Sequence, residues 1–271
     1  MDKKKRVKVN KTTYSYSKTT VDRKDFTTRH CHDRYEILYV IDGKGKFIIE
    51  GREYPVNSHT VIVIPPLEYH CIDLAEGSSY ERCVIHFTEK DLIPECKECL
   101  SAFRRNDDEG TSFYIANVSA LPIVSQIEQF EYIDSVPEER KSLFAKLLLS
   151  QLVLLLSSTG FDEVSYEDSE LGARVIRYLN EHIDKDVSLD KLAKRFFVSK
   201  YYLCRAFKKH NGISVHGYIN QKRVMYAKQL IESGETASGA AYRVGFGDYS
   251  AFYRAYIKIV GKSPTYTEEG K

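Results

Sequence analysis

One segment near the carboxyl end combines positive charge with tyrosines, which suits a surface that approaches a polyphosphate. Residues 199–209 include four Lys or Arg side chains and no acid. Arg pairs with guanine edges and with phosphate, whereas Tyr and Ser hydrogen-bond to phosphates and bases. A solvated basic helix face has the same composition. The spacing of these residues must therefore decide between the two interpretations.

The same pattern occurs twice. Residues 203–214 align with residues 252–263, and the alignment matches Arg205 with Arg254 and Gly212 with Gly261. Each copy follows a short segment of helical pattern and a tight turn, which is the order of a helix-turn-helix unit. Solvated amphipathic helices explain one such copy far better than two. The sequence therefore predicts helix-turn-helix units at about 188–210 and 237–258.

Within each predicted recognition helix the apolar positions define an inner stripe, and the opposite face would meet DNA. The predicted DNA-binding residues are Lys200, Tyr201, Tyr202, Cys204, Arg205 and Lys208 in the first unit and Tyr249, Ser250, Tyr253 and Arg254 in the second. The helical segment 214–231 between the units spans roughly 27 Å at about 1.5 Å per residue. A strut of this length would hold the recognition helices about 34 Å apart, so that both enter successive major grooves.

Charge and composition limit the possible classes of protein. Residues 170–271 contain 18 Lys and Arg against 10 Asp and Glu, although the net charge of the 271-residue chain is only +2. With 42% hydrophobic residues, the chain suits two packed domains and not a collagen-like, low-complexity or disordered protein. No apolar stretch approaches the roughly 20 residues of a membrane helix. The basic start lacks the apolar core of a secretory signal, so we expect a cytoplasmic protein with no membrane partner and six reduced cysteines.

The amino-terminal half has the pattern of a small β domain. Short β-branched and aromatic runs within 35–87 predict an antiparallel barrel or sandwich. Asp42 and Gly43 lie between two of these runs, which predicts a hairpin turn there.

Helical patterns then follow at 92–103, 121–135 and 138–157. The last of these is apolar on nearly every side and needs nearly complete cover, which favours a packed inner face and a contact with a second copy in a homodimer. The polar segment 158–169 predicts a linker, and 1–11 a solvated basic tail.

The carboxyl-terminal residues resemble the DNA-binding region of the AraC/XylS family of bacterial transcription regulators. The resemblance covers about 187–264, and it is carried by Ser188-Leu-Asp-Lys-Leu-Ala, Val198-Ser-Lys-Tyr-Tyr-Leu, Val244-Gly-Phe and Gly261-Lys-Ser-Pro. It implies two helix-turn-helix units that bind double-stranded promoter DNA as an activator or a repressor, with RNA polymerase as a partner of an activator. Gly247 stands where the family usually has a capping serine, which implies weaker binding by the second unit.

Residues of about 25–90 resemble the two cupin signatures, which implies a small effector-sensing barrel. The matching residues are His30, His32, Glu36 and Gly43 in the first signature and Pro65 and His70 in the second. In metal-using cupins, residues at the positions of His30, His32, Glu36 and His70 bind one ion, and imidazole and carboxylate suit zinc, iron or manganese. Regulators of this type also keep such histidines as polar anchors. We therefore expect these four residues to bind an effector, with no metal and no cofactor, and we interpret His86 as a structural histidine.

Together these features predict an α+β multidomain protein. A cupin-like antiparallel β-barrel with trailing helices would occupy 12–157, and an all-α double helix-turn-helix domain would occupy 170–271. We expect a sequence-specific transcription regulator, not an enzyme, that responds to a small-molecule effector, with a sugar as one candidate. The alternative is a metal-dependent cupin enzyme, an isomerase or dioxygenase, with a helical appendage. A third possibility is a ligand-responsive interaction module that binds no DNA.

Overall fold

A computed structural model describes residues 4–9, 12–20, 29–75, 77, 79–103, 113–162 and 171–265, with 4–20 described as backbone only. Within these residues, the strands are β1 (Lys4–Val9), β2 (Thr12–Thr20), β3 (Tyr35–Asp42), β4 (Gly45–Ile49), β5 (Arg52–Val56), β6 (Val61–Ile64), β7 (His70–Leu74), β8 (Ser79–Phe87) and β9 (Phe113–Ile115). They form a six-stranded sheet in the order β1-β2-β8-β3-β6-β9 and a three-stranded sheet in the order β5-β4-β7. All described pairings are antiparallel.

The two sheets enclose a core of buried side chains that includes Leu38, Phe47, Ile62, Ile72 and Tyr80. Because side chains alternate along a strand, every second residue of β3, β7 and β8 lies on this inner face. The β-rich first domain and the helical second domain described below confirm the predicted α+β class.

The predicted hairpin at Asp42 and Gly43 is wrong. β3 pairs with β6 and β8, whereas β4 pairs with β5 and β7, so this connection carries the chain from one sheet to the other. The Asp42 carboxylate accepts hydrogen bonds from the hydroxyls of Ser58 (3.0 Å) and Ser79 (2.7 Å), which fixes the corner between the sheets. A tight turn joins β4 to β5 instead, where Glu50 and Gly51 have φ of +48° and +82°.

The amino-terminal tail prediction also needs correction. Residues 4–9 of the expected tail at 1–11 form strand β1, which pairs with β2 from Lys4 opposite Ser17 to Val9 opposite Thr12. The other residues of that segment lie outside the described residues. The β-branched Val7 and Val9 fit a strand, and Lys8 between them suits its position at the edge of the sheet.

Two helices cover the outer face of the six-stranded sheet: α1 (Ile123–Glu128) and α2 (Glu138–Ser157). The α2 bounds agree with the predicted helix at 138–157. The segments Pro94–Cys96, Glu98–Phe103 and Gln129–Ser135 are 3-10 helices, a tighter form than the α-helices that the periodicity suggested. The inner face of α2 packs on the sheet core, whereas Leu143, Leu147 and Leu154 are 60%, 50% and 49% exposed.

The second domain is helical, with α3 (Leu171–Glu181), α4 (Leu189–Arg195), α5 (Lys200–Asn211), α6 (Val215–Glu232), α7 (Ala237–Arg243) and α8 (Tyr249–Val260). None of the described helices combines the length and the apolarity that a membrane crossing requires. Most of the predicted linker at 158–169 lies outside the described residues. Its beginning is tied to the first domain, because the Asp162 carboxylate accepts the Ala116 N–H at 2.7 Å.

Candidate functional site

Helices α4 and α5 form the first helix-turn-helix unit. The Ser188 hydroxyl accepts the Lys191 N–H and the Ser199 hydroxyl accepts the Tyr202 N–H, so each helix begins with a side-chain cap. Leu203 and Phe207 are fully buried on the inner face of α5. The helix ends at Gly212, whose φ of +69° is the left-handed conformation that glycine adopts without strain.

The opposite face of α5 carries the predicted DNA-binding residues of the first unit, and it is open to solvent. Arg205 and Lys208 are exposed, and Tyr201 and Tyr202 are 76% and 56% exposed. The remaining two predicted residues are less free: Cys204 is half-buried, and Lys200 pairs with Asp190 at 2.7 Å. This surface can therefore meet a phosphate backbone without any rearrangement of the fold.

Helices α7 and α8 form the second unit on the same plan. Phe252 and Tyr256 are buried, whereas Ser250, Tyr253 and Arg254 are exposed. The predicted residue Tyr249 is half-buried, and its ring lies 5.7 Å from that of Phe252.

The expected loss of a cap at Gly247 does not leave α8 uncapped. One residue later, the Asp248 carboxylate accepts the N–H groups of Ser250 (3.2 Å) and Ala251 (2.8 Å). An aspartate at this position also favours the positive end of the helix dipole. The second recognition helix is therefore as well capped as the first.

Helix α6 connects the two units, and Arg223 near its middle bonds to both. Its guanidinium donates to the carbonyl oxygens of Ile183 (2.8 Å) and Lys185 (2.6 Å), which lie just before the first unit. It also donates to the carbonyl oxygen of Gly245 (2.7 Å), in the turn of the second unit. A cavity of about 630 Å³ beside it is lined by Arg254 and Lys258 among others. Arg223 thus fixes the positions of both units relative to α6.

The β4–β5 turn inserts a buried carboxylate into the helical domain. One Glu50 oxygen accepts from the Tyr69 N–H (2.6 Å) and from the Lys222 ammonium (2.6 Å), and the other accepts from the Tyr218 hydroxyl (2.5 Å). The Glu50 side chain is fully buried and that of Lys222 is 9% exposed. Burial by itself would raise the pKa of Glu50, but Lys222 and the hydrogen bonds outweigh burial, and the pKa is lowered.

Further contacts between the domains surround this pair. The Arg29 guanidinium donates to the carbonyl oxygen of His210 at 2.8 Å, and the ring of His210 lies so close to Gly51 that a β-carbon there would approach it to 2.5 Å. Asp33 forms an ion pair with Lys228 and accepts, through its carbonyl, a hydrogen bond from Gln229 (3.3 Å). The sequence analysis did not identify these residues, because their partners are far away along the chain.

A histidine cluster, defined here as His32, Glu36, His70 and His86, lies at one end of the β core. Glu36 continues the inward-facing positions Leu38 and Val40 of β3, and His86 lies opposite Glu36 in the pairing of β3 with β8. The Glu36 oxygen Oε2 lies 2.9 Å from His32 Nε2, 2.8 Å from His86 Nε2 and 3.7 Å from His70 Nε2. The structure therefore brings together three of the four predicted effector residues, with His32 and His70 around the Glu36 carboxylate, and adds His86. The fourth, His30, is exposed, with its ring 4.5 Å from that of His70.

The pKa values of the cluster follow from burial and from this carboxylate. Burial lowers the pKa of His32, and contact with Glu36 offsets only part of that effect. For His70 burial acts in the same direction, but Glu36 outweighs it and the pKa is raised. Burial would raise the pKa of Glu36, but the three histidines hold it well below its usual range. Glu36 is thus an ionised carboxylate in a buried site.

A β domain with a polar site at one end, followed by two helix-turn-helix units on a shared helix, defines a two-domain DNA-binding regulator. Residues 18–108 match the family model of an AraC-like ligand binding domain, and residues 192–269 match that of a helix-turn-helix domain. The chain belongs to the AraC family of transcription regulators.

Two curated relatives and one solved structure are similar to most of the chain. The chain is 26% identical over 250 residues to the HTH-type transcriptional activator RhaS of Enterobacter sp. (strain 638), covering 89% of this chain and 87% of the relative. It is 26% identical over 226 residues to the uncharacterized HTH-type transcriptional regulator YbfI of Bacillus subtilis (strain 168), covering 82% and 79%. The crystal structure of ToxT from Vibrio cholerae O395 is 14% identical, with a TM-score of 0.38 and coverage of 93% of this chain and 95% of that chain. The printed names of the first two relatives are those of a transcriptional activator and a transcriptional regulator.

Proposed function

We propose that this regulator binds promoter DNA with α5 and α8 in successive major grooves and acts by binding rather than catalysis. The observation that carries the proposal is the pair of exposed faces, with Arg205 on one and Arg254 on the other, held by a single 18-residue helix. At about 1.5 Å per residue this helix spans roughly 27 Å, somewhat less than the roughly 34 Å of a duplex turn.

Each face combines an arginine suited to base contacts with residues suited to contacts with the DNA backbone. Arg205 and Arg254 stand in the middle of their recognition helices, where a guanidinium can pair with a guanine edge. Lys208 lies one turn further along α5 and offers a point charge that suits phosphate. Tyr201, Tyr202, Tyr253 and Ser250 supply hydroxyl donors to the backbone around them. We infer that Lys200, Cys204 and Tyr249 contact DNA at the margins of these faces.

Binding to a fluorescent promoter duplex tests this proposal directly. The duplex would come from the DNA upstream of the protein's own gene, with a random duplex as reference, and anisotropy would be measured over a range of salt concentrations. Lys208→Ala should weaken binding to both duplexes alike and reduce the salt slope by about one charge. Salt-independent binding, or equal affinity for both duplexes in the unaltered protein, would contradict a sequence-specific regulator.

We further propose that the protein works as a homodimer and as an activator that contacts RNA polymerase in the bacterial cytoplasm. The exposed leucines Leu143, Leu147 and Leu154 form a stripe on α2 that suits the same stripe of a second copy. Activation is proposed from the printed name of the RhaS relative. Sedimentation of Leu147→Glu should give a monomer where the unaltered chain gives a dimer.

An effector would act through the β domain at His30, His32, Glu36 and His70. We propose domain boundaries at about 12–157, to which strand β1 adds, and 170–271, so that this site lies in one domain and the DNA-binding faces lie in the other. The side chains that converge here are imidazoles around a carboxylate, which can donate hydrogen bonds to, and accept them from, the hydroxyls of a sugar or of another polar ligand. The core between the sheets is filled with buried apolar side chains, and the ring of Phe47 stacks on that of His70 at 5.8 Å. These features favour a small, polar ligand.

A further inference from the structure

We propose that the cavity between the two helix-turn-helix units binds backbone phosphates of the DNA that lies between the two major grooves, through Lys258, His216 and Asn220. The inference rests on the proposed function and adds a set of contacts to it. The ten residues that the sequence predicts for DNA binding lie on α5 and α8, and these three residues are not among them.

The cavity has a volume of about 630 Å³ and lies where the two units face each other. Its wall is formed by the segment just before α4, the amino-terminal half of α6, the turn before α8 and one side of α8. Arg254 belongs both to this wall and to the exposed face of α8. The cavity therefore opens beside the surface that the proposed function places against DNA.

The course of the duplex determines what this cavity meets. Two successive major grooves on one side of DNA are separated by the minor groove, whose edges are the two phosphate backbones. A protein that inserts α5 into one major groove and α8 into the next therefore brings the residues between these helices close to phosphates. Because DNA carries one negative charge per about 1.7 Å of its axis, we expect a positively charged wall with hydrogen-bond donors.

The charges of the wall meet this expectation. Arg223, Arg254 and Lys258 are positively charged, whereas Asp186 is negatively charged and already pairs with Lys191 at 2.5 Å. The bonds of Arg223 go to carbonyl oxygens, which carry no net charge and do not neutralise it. Burial lowers the pKa of Arg223, and nearby aspartates offset only part of that effect. An anion in the cavity would therefore stabilise a positive charge that is partly removed from water.

Two residues of α6 supply directed donors. His216 and Asn220 are one turn apart, so their side chains lie on the same side of the helix, and both line the cavity. The amide nitrogen of Asn220 lies 3.4 Å from His216 Nδ1 and donates to it. The neutral imidazole then carries its hydrogen on Nε2, and Asn220 keeps a second amide hydrogen. Lys258 adds an ammonium from α8, so donors from both helices are available to a phosphate.

The exposure of the donors favours DNA over a free anion as the source of the phosphate. His216, Arg254 and Lys258 are all exposed, and water and salt screen such charges, so they hold a small free anion weakly. A duplex that is already held by two recognition helices presents its phosphates to the cavity at a high effective concentration. The volume lies within the range of about 300–1,000 Å³ of ligand pockets, so a phosphodiester and its neighbouring sugars have room.

An uncharged phosphate analogue tests the contact with the full chain. Methylphosphonates would replace the phosphates between the two segments of the promoter duplex that footprinting shows to be protected, and anisotropy would measure affinity. On the ordinary duplex, Lys258→Gln should weaken binding by about three- to fivefold and reduce the salt slope by about one charge. On the methylphosphonate duplex the same substitution should cause no further loss, because the contact is already absent.

The duplicated segment offers a matched control. Lys209 is exposed, occupies the position of the first unit that corresponds to Lys258, and does not line the cavity. Any loss of affinity in Lys209→Gln should therefore be the same on the two duplexes. Lys258→Arg retains the positive charge and should retain the affinity of the unaltered chain for the ordinary duplex.

Two results would overturn the inference. The first is a loss in Lys258→Gln that is equal on the ordinary and the methylphosphonate duplex. The second is saturable binding of inorganic phosphate without DNA, measured by calorimetry and abolished in Lys258→Gln, which would assign the cavity to a free phosphate. If the unaltered chain fails to protect two segments of the promoter, the proposed function fails. Two protected segments without coupling between Lys258 and the phosphates refute only this inference.

Discussion

The first helix-turn-helix unit shares its core with the β domain, whereas the core of the second unit comes from the helical domain. Cys31 and Tyr69 of the β domain belong to the buried cluster of Leu203, Phe207 and Tyr218. The cluster around Phe252 and Tyr256 is drawn, within the described residues, from α6 to α8. Among the described residues, the first unit therefore shares its core with the β domain directly, whereas the second unit packs on α6, which itself contacts the β domain through Lys222 and Lys228.

The turns of the two units also differ in the residue at the left-handed position and in its exposure to solvent. Phe197 in the first turn has a φ of +54° and is 94% exposed, whereas Gly245 holds the left-handed position in the second turn. A non-glycine residue in this conformation costs about 1–2 kcal/mol. A β-carbon at Gly245 would lie 2.7 Å from the carbonyl oxygen of Asp184 and 2.8 Å from the Arg223 guanidinium. The second turn thus packs against Arg223 of α6 and against Asp184, whereas the first turn is open to solvent.

The largest expected effect follows from weakening the contact between the β domain and the helical domain, which should affect the first unit and not the second. Glu50→Gln leaves the Lys222 ammonium buried without its anion, and breaking a buried pair in this way costs about 3–5 kcal/mol. Hydrogen exchange should therefore accelerate in peptides from α3, α5 and the start of α6, but not in peptides from α8. Glu53→Gln is the control, because Glu53 pairs with Lys46 at an exposed site of the same hairpin. Equal acceleration in α5 and α8 would contradict the claim that only the first unit is stabilised by contact with the β domain.

The next effect compares the two DNA-reading faces. Arg205→Ala should lower specific promoter affinity by about 1–3 kcal/mol if Arg205 pairs with a base edge. Arg254→Ala should cost less, since α8 carries fewer positive charges than α5. Anisotropy titrations on promoter and random duplexes would measure both. A loss that is the same on both duplexes would remove the base-reading role from that arginine.

A smaller effect compares the helix caps. Asp248→Ala removes the acceptor of two N–H groups and should destabilise the start of α8 by about 1 kcal/mol. Ser199→Ala is the matched change in α5, where docking on the β domain should limit fraying. Hydrogen exchange of the first turn of each helix gives the comparison, and Asp248→Asn should retain most of the cap. Greater fraying of α5 than of α8 would be evidence against the stabilising effect of docking.

The smallest effect is the pH dependence of docking. The pKa of Glu50 is lower in the docked state than usual, so its contribution is present above its ordinary pKa of about 4.3 and is lost as pH falls through the lowered value. Burial would lower the pKa of Lys222, but Glu50 outweighs burial and raises it, so its contribution persists below about 10.4. In the unaltered chain, hydrogen exchange of α5, corrected for intrinsic rates, should show that docking weakens as the pH falls below the ordinary pKa of Glu50. In Glu50→Gln the docking should not change over the same pH range. Identical profiles would contradict the role of this carboxylate.

Local patterns in the sequence were sufficient for elements that depend on local physics. The bounds of α2 and of both recognition helices follow from apolar periodicity, and the β3 and β8 runs follow from their β-branched residues. The turn at Asp42 was mispredicted because Asp-Gly favours reversal of the chain but does not specify which sheet the next strand joins. Strand pairing is a long-range property that the local pattern does not contain.

The candidate site was predictable to the extent that its residues lie in repeats or motifs. Arg205 and Arg254 stand at matching positions of a duplicated segment. Glu50 gave only a weak signal, a charged residue before glycine between two apolar runs, and its partner Lys222 lies 172 positions later. His86 lies outside both signatures, and only the strand register places it opposite Glu36. Contacts between residues that are distant in sequence can be identified only from the three-dimensional structure.

The central claim is that one chain presents two recognition helices to one face of a duplex, and hydroxyl-radical footprinting on the DNA upstream of its gene tests it most directly. Two protected segments about 10 base pairs apart should appear for each bound chain, with Arg205→Ala weakening one segment and Arg254→Ala the other. A single protected segment, or loss of the same segment in both variants, would contradict the account.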